Sequence, residues 1–487
     1  MTKYRCKNCG YIYTDEDDYN FLTNCIMCEG PKKDISLWNA KEGFYDEEKK
    51  KKRVWVSDIN PSIQRIDNLC IDCGMCQNIC TNITNISYDK QLASNPICIN
   101  CGQCVMHCPT KALVPKYDYK ELLNYLNDTN YFVTISVAPA VRVSIGELFG
   151  LPAGSFVEHK LVSALRALKF DAVFDLTFGA DMTIMEEASE LVERIKSKKN
   201  LPQFTSCCPA WVKYCEMFHD DLLDNLSTTK SPISIQGTLI NTYYQELNNI
   251  PKDKIINVMV APCVAKKMEV KRRELPGMDY VITVQELALM LQECEIDFNS
   301  LKDSDFDPLL GKGSGAGVIF GTSGGVMEAA LRAAYYFITN KKAPKKFYNL
   351  ESIRGISGIK EAEIEIGEYK FKVAAVEGMK NVEEILKHKK DYAFIEVMNC
   401  EGGCIGGGGQ PLLPIPQVKA NLESRKNSLY QNDAESSIRV AYENPDVINV
   451  YKYYLDHPLS EKAEKLLHTH YHSRAKAVKL RKEKKTD

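Results

Sequence analysis

The spacing of its cysteines limits what this chain can fold into more than any other feature. Nineteen cysteines occur in 487 residues, and twelve of them fall by position 108 in tight groups. The groups are Cys6-x2-Cys9, Cys25-x2-Cys28, Cys70-x2-Cys73-x2-Cys76-x3-Cys80 and Cys98-x2-Cys101-x2-Cys104-x3-Cys108. The opening residues MTKYRCKNCG lack the basic and apolar regions of a secretory signal. The thiols are therefore expected in a reducing, cytoplasmic setting, where clustered cysteines serve metals rather than disulfides. Small modules bury too little apolar surface to fold alone, so metal coordination substitutes for a core. The whole length exceeds one ordinary core, and two to four domains are expected. A net charge of -2 supplies no basic excess for nucleic acid or an anionic membrane. No apolar run reaches the roughly 18 residues of a membrane span.

Residues 1–40 read as one metal module. Two C-x2-C knuckles, Cys6/Cys9 and Cys25/Cys28, place four thiolates around one ion in a tetrahedron that suits either iron or zinc. The segment YRCKNCGYIY resembles rubredoxin, while the short loop to Cys25 and Glu29 in place of the usual glycine depart from it. That resemblance implies a single-iron site, with zinc as the alternative. Residues 41–59 open on KEGFYDEEKKKKR and read as a solvated, charged linker. Residues 60–118 carry two runs that match those holding 4Fe-4S clusters in bacterial two-cluster ferredoxins. This resemblance implies a ferredoxin-like α+β domain with crossed ligation. Cys70, Cys73, Cys76 and Cys108 would hold one cluster, and Cys98, Cys101, Cys104 and Cys80 the other. Thr81 replaces the proline usual after the fourth cysteine.

From residue 119 onward the pattern changes. Apolar runs at 131–138, 172–176, 256–261 and 392–398 read as strands, with helical stretches at 181–195 and 324–337 between them. Such alternation predicts a large α/β domain with mostly parallel sheets, whose sites lie at strand ends. Glu187, Glu190 and Arg194 fall at i, i+3 and i+7, one stripe of the first helix, and a stripe of this kind is ordinarily a solvated face. Cys215 and Cys294 have no motif partner and read as buried thiols. The basic segment from Arg474 reads as a frayed helix in solvent.

Three further segments narrow the chemistry: TSCCPAW at 205–211, APCVAKKME at 261–269 and EVMNCEGGC at 396–404, the last followed by a glycine run and Gln410-Pro411. Together with Ala138-Pro139-Ala140-Val141-Arg142, GTSGGVMEAALR at 321–332 and LLHTHY at 466–471, they resemble the iron-iron hydrogenases over nearly all of residues 60–473. The resemblance implies that Cys208, Cys263, Cys400 and Cys404 hold a 4Fe-4S cluster. Through Cys404 that cluster would join a diiron unit carrying carbon monoxide, cyanide and a dithiolate. It implies contacts to this group from Ala138, Pro139, Pro232 and Lys266, the last pairing with a cyanide, and a place for Met398 in the catalytic site. It also implies a proton relay running Cys207, Glu187, Ser227, Glu190, with Arg194 near the outer end. The implied activity is interconversion of protons, electrons and hydrogen, served by a soluble carrier such as ferredoxin or rubredoxin and by maturation proteins for the diiron unit. A hydrogen sensor or an iron-sulfur assembly protein is the alternative. Ala261, Ile233 and Ala210 depart from the family's usual Met, Gln and Gly, which predicts an altered surround for the diiron unit.

Overall fold

Asp175 shows how the chain passes from strand to helix. It ends the strand Ala172–Asp175, and its side chain accepts the Thr177 N–H at 2.9 Å, capping the helix Leu176–Ser197. That helix begins five residues before the apolar pattern suggested. The computed structural model describes residues 97–475 apart from 357 and 413–416, residues 60–86, and the short pieces 3–6, 12–13, 24, 31–38, 53–54 and 56.

Two four-stranded sheets build the large domain. In the first, Tyr280–Thr283, Ile255–Ala261, Phe132–Val137 and Ala172–Asp175 lie side by side and all parallel. Almost all of their residues are buried and most are apolar, as expected for a parallel sheet covered on both faces, with Thr134, Ser136 and Asn257 among the buried polar exceptions. In the second, the order is Ile359–Ile366, Tyr369–Glu377, Tyr392–Met398, Gln203–Phe204. Its first pair is an antiparallel hairpin and the other pairings are parallel. The expected α/β domain with mostly parallel sheets is the observed one, with this hairpin added.

Ahead of it, Ile63–Arg65 pairs antiparallel with Leu113–Pro115, packed with the helices Met75–Thr84 and Gln103–Met106. The helix carrying Cys80 continues to Thr84, so the backbone N–H that Thr81 keeps and proline lacks lies within a helix. A small antiparallel sheet has Lys3–Cys6 between Ile12–Tyr13 and Ile35–Trp38. The Cys6 side chain, Cys9, Cys25, Cys28 and most of the linker lie outside the described residues. Two smaller expectations fail. Cys294 is exposed, because it sits where the helix Val284–Glu293 ends. Arg474 is buried, held by Glu216 at 2.8 Å. Among the described residues no helix is long and apolar enough to cross a membrane.

Candidate metal centre and proton path

Strands from both sheets deliver the site. Val137, Phe204, Ala261 and Met398 are the last residues of four strands, and Ala138-Pro139, Cys207-Cys208, Cys263 and Cys400 follow directly after them. These strand ends surround a cavity of about 80 Å³. Its wall holds the thiols of Cys208, Cys263, Cys400 and Cys404 together, with Cys207 beside them. Ala138, Pro139, Pro232, Lys266 and Met398 also line it, so every residue expected to touch a bound group does face one space. Among the described residues no three His, Cys, Asp or Glu side chains close on a single ion. Four soft thiolates in an almost wholly apolar wall suit an iron-sulfur cubane with a bulky neutral or weakly hydrated appendage.

The glycine run packs tightly against the neighbouring backbone. Gly403 adopts φ +84°, and a Cβ there would lie 2.5 Å from the Ser323 nitrogen. Lys266 follows Cys263 by three residues, on the short helix Ala265–Glu269. Its Nζ pairs with Glu269 at 2.6 Å and donates to the Cys207 carbonyl at 3.0 Å. Burial opposes its charge, but Glu269 outweighs that and raises the ammonium's pKa. The sequence offered no sign of this carboxylate partner beyond the i, i+3 spacing.

A row of polar side chains leads away from the cavity, starting at Cys207, where burial raises the thiol's pKa well past the usual range and Glu187 adds to the shift. Glu187 is next, 2% exposed and pushed up to about 8 by burial, with Glu190 adding to the shift. Ser227 connects the two carboxyls: it interacts with Glu187, and its hydroxyl donates to Glu190 at 2.7 Å. Arg194 closes the line with a 2.6 Å bond to Glu190 and further bonds to the carbonyls of Asn200, Asn225 and Leu226. The stripe that alone would read as solvated is buried along its length.

In the N-terminal part, Cys73 is exposed and Cys101 is buried. Cys80 is among the sulfurs that crowd Cys101 and Cys104, and Cys76 also acts on Cys104. Cys101 in turn feels the thiols of Cys263 and Cys400, so one cysteine run adjoins the cavity while the other reaches solvent.

Comparison with known proteins agrees with this geometry. Residues 131–408 match the family model for the iron-only hydrogenase large subunit, C-terminal domain, residues 419–474 that for the iron hydrogenase small subunit, and residues 97–114 a 4Fe-4S binding domain. Iron hydrogenase 1 of Clostridium pasteurianum is 41% identical over 87% of this chain and 78% of its own length. The chain belongs to the iron-only hydrogenase family. The solved FeFe-hydrogenase HydA1 of Chlamydomonas reinhardtii superimposes with a TM-score of 0.64 at 33% identity, covering 74% of this chain and 100% of that one. A cytosolic Fe-S cluster assembly factor of Danio rerio is also similar, at 29% identity over 70% of this chain and 86% of its own.

Ala261 and Ile233 line the cavity, so two of the three positions set apart in the sequence face it in this hydrogenase. Ala210 is buried instead in the core around Trp211, away from the wall. Sequence reasoning passed over Glu396, which lies buried on the strand Tyr392–Met398. It accepts the Gly324 and Met327 N–H groups at 2.7 Å each, holding the start of the helix Gly325–Thr339 beside the site. It also missed the seam between the cysteine runs and the cavity. Gly102, at φ +73°, leaves no space for a side chain: a Cβ would lie 2.4 Å from Val264 Cγ2 and 3.1 Å from Gly408 Cα. Gly102→Val is expected to cost about 1–3 kcal/mol, read as a lower denaturation midpoint of the loaded protein. An unchanged midpoint would show the seam to be slack.

Proposed function

We propose that this hydrogenase interconverts protons and electrons with molecular hydrogen at a 4Fe-4S cubane joined to a diiron unit, fed by two ferredoxin-type clusters. The observation that carries the reading is the line from Cys207 to Arg194 beginning at the same wall as four thiols. A site meant only to store or hand on a cluster has no need of a buried acid-base line. The family resemblance names Cys208, Cys263, Cys400 and Cys404 as ligands, and their shared apolar cavity supports that assignment. When bound, the group would supply the electrons and the metal at which hydrogen and protons exchange.

The protein's own part is proton supply and exclusion of water. Cys207 would hold a proton at the wall, and Glu187, Ser227 and Glu190 would pass it outward, a reading supported by the 2.7 Å bond from Ser227 to Glu190. A carboxyl pushed up to about 8 is well matched to exchange near neutral pH. Lys266 fixes the Cys207 backbone and sets a positive charge beside the wall, which suits anionic ligands such as cyanide. Pro139, Pro232 and Met398 keep that wall apolar. Electrons from a soluble carrier such as ferredoxin or rubredoxin would enter near exposed Cys73 and leave through the run containing Cys101. Dedicated maturation proteins would have to build the diiron unit.

An assembly role is the rival reading, favoured by the 29% identical assembly factor. An infrared spectrum of anaerobically matured protein separates the two. The hydrogenase reading expects metal-bound carbonyl and cyanide bands together with hydrogen evolution from a reduced carrier. Fully loaded cubanes without those bands would leave the assembly role standing.

A further inference from the structure

Glu190 has partners that the relay does not use. The Thr228 backbone N–H lies 3.2 and 3.1 Å from its two oxygens, and the Thr228 hydroxyl lies 3.2 Å from Oε1. The same hydroxyl is 2.8 Å from His468 Nδ1. His468 Nε2 is 3.0 Å from Glu186 Oε2, and Glu186 also accepts from the Tyr451 hydroxyl at 2.5 Å and the Leu459 N–H at 2.8 Å. His468, Glu186 and Tyr451 are all buried. Two backbone bonds tie the segments together, Thr469 N–H to the Thr228 carbonyl at 2.7 Å and Lys230 N–H to the Leu467 carbonyl at 2.8 Å. Tyr451 opens a π-helical turn, Tyr451–Leu455, a local distortion found mostly at functional positions.

One hydroxyl proton cannot serve both neighbours. When His468 carries two protons, Nδ1–H donates to Thr228 Oγ1 and Nε2–H donates to Glu186, so the Thr228 hydroxyl must donate to Glu190. When His468 is neutral, Glu186 claims the single N–H at Nε2. Bare Nδ1 then accepts the Thr228 hydroxyl, and Glu190 loses a donor. A donor to a carboxylate favours its ionised form, so the two states of His468 give Glu190 different affinities for a proton.

We propose that His468 is a positioning residue that sets the proton affinity of Glu190 through the direction of the Thr228 hydroxyl. This rests on the proposed relay and assigns its outer half a control. Acid conditions charge His468 and turn the hydroxyl to Glu190. Glu186, Glu190 and Arg194 of the long helix, Glu464 of His468's own helix, Tyr451 and Lys230 are the charged or titratable groups around it. Burial opposes charge on His468, and Glu186 outweighs it, raising the imidazole's pKa. Lys230 is pushed down to about 8 by burial, and its Nζ donates to the Leu466 carbonyl.

The test is the pH profile of hydrogen evolution by fully matured protein, with infrared bands and cluster content measured on every variant. Thr228→Val removes the donor to Glu190 itself, and His468→Gln removes the charged Nδ1–H that turns it toward Glu190. Each should move the ionisation limb of the profile upward by about one pH unit, and the double variant should move it no further. Thr228→Ser, which keeps the hydroxyl, should retain the native profile. Profiles that superimpose on the native one, lowered uniformly or not, overturn the proposal, as do shifts that add in the double variant. Glu190→Gln distinguishes the two levels of argument. If it alone depresses the rate, the relay stands and the His468 control falls; if it leaves rate and profile native, the relay itself falls.

Discussion

Cys207→Ala in the fully matured protein is expected to lower hydrogen turnover by about 100- to 10,000-fold, with carbonyl and cyanide bands still present. Cys207 sits next to Cys208 yet its role in the proposal is different: it holds a proton rather than iron. Alanine keeps the backbone that Lys266 grips through the Cys207 carbonyl, so the wall should persist while the first proton carrier is lost. Gas production by the variant at the native rate, measured at equal cluster content, would remove the thiol from the proposed path.

Glu187→Gln is expected to produce a loss of similar size, and to leave a second signature in stability. The buried Glu187 carboxyl holds its proton up to about 8, whereas its ordinary value is 4.5. Between those values the folded protein retains a proton that the unfolded chain has released. Rising pH therefore removes stability across that window, down to a floor reached once the folded carboxyl also ionises. Glutamine has no such proton. The variant should gain apparent stability relative to the native protein as pH rises through the window, seen as a diverging denaturation midpoint at its two ends. Parallel midpoints, with turnover unchanged, would make Glu187 a polar spectator.

Much of this was legible in the sequence because the signals were local. The apolar run at 256–261 could only be a buried strand, and Cys263 two residues beyond it had to lie at a strand end. The hairpin Ile359–Ile366 with Tyr369–Glu377 was also written locally. Ile364 and Ile366 alternate with Glu363 and Glu365, buried against exposed, and that period-two pattern was overlooked. Other features had no local trace. Arg474 belongs to a basic stretch that composition assigns to solvent, yet Glu216, 258 residues earlier, draws it inside. His468 and Glu186 are 282 residues apart, and no spacing rule joins them. Lys266 lay between these cases, since its nearness to Cys263 was readable but Glu269 as its counter-charge was not.

The bare backbone meeting at Gly102 and Gly408 bears on how such a protein can be rebuilt. The cysteine-bearing N-terminal part and the cavity's glycine run abut there, Gly408 against the Gly102 backbone with the Val264 side chain alongside, so the closeness of the two is fixed by positions that carry no side chain. The N-terminal clusters are on this account less a plug-in accessory than one half of a fitted joint. Exchanging them for another carrier domain would require a mate with equally little bulk at that point, or the current would have farther to jump.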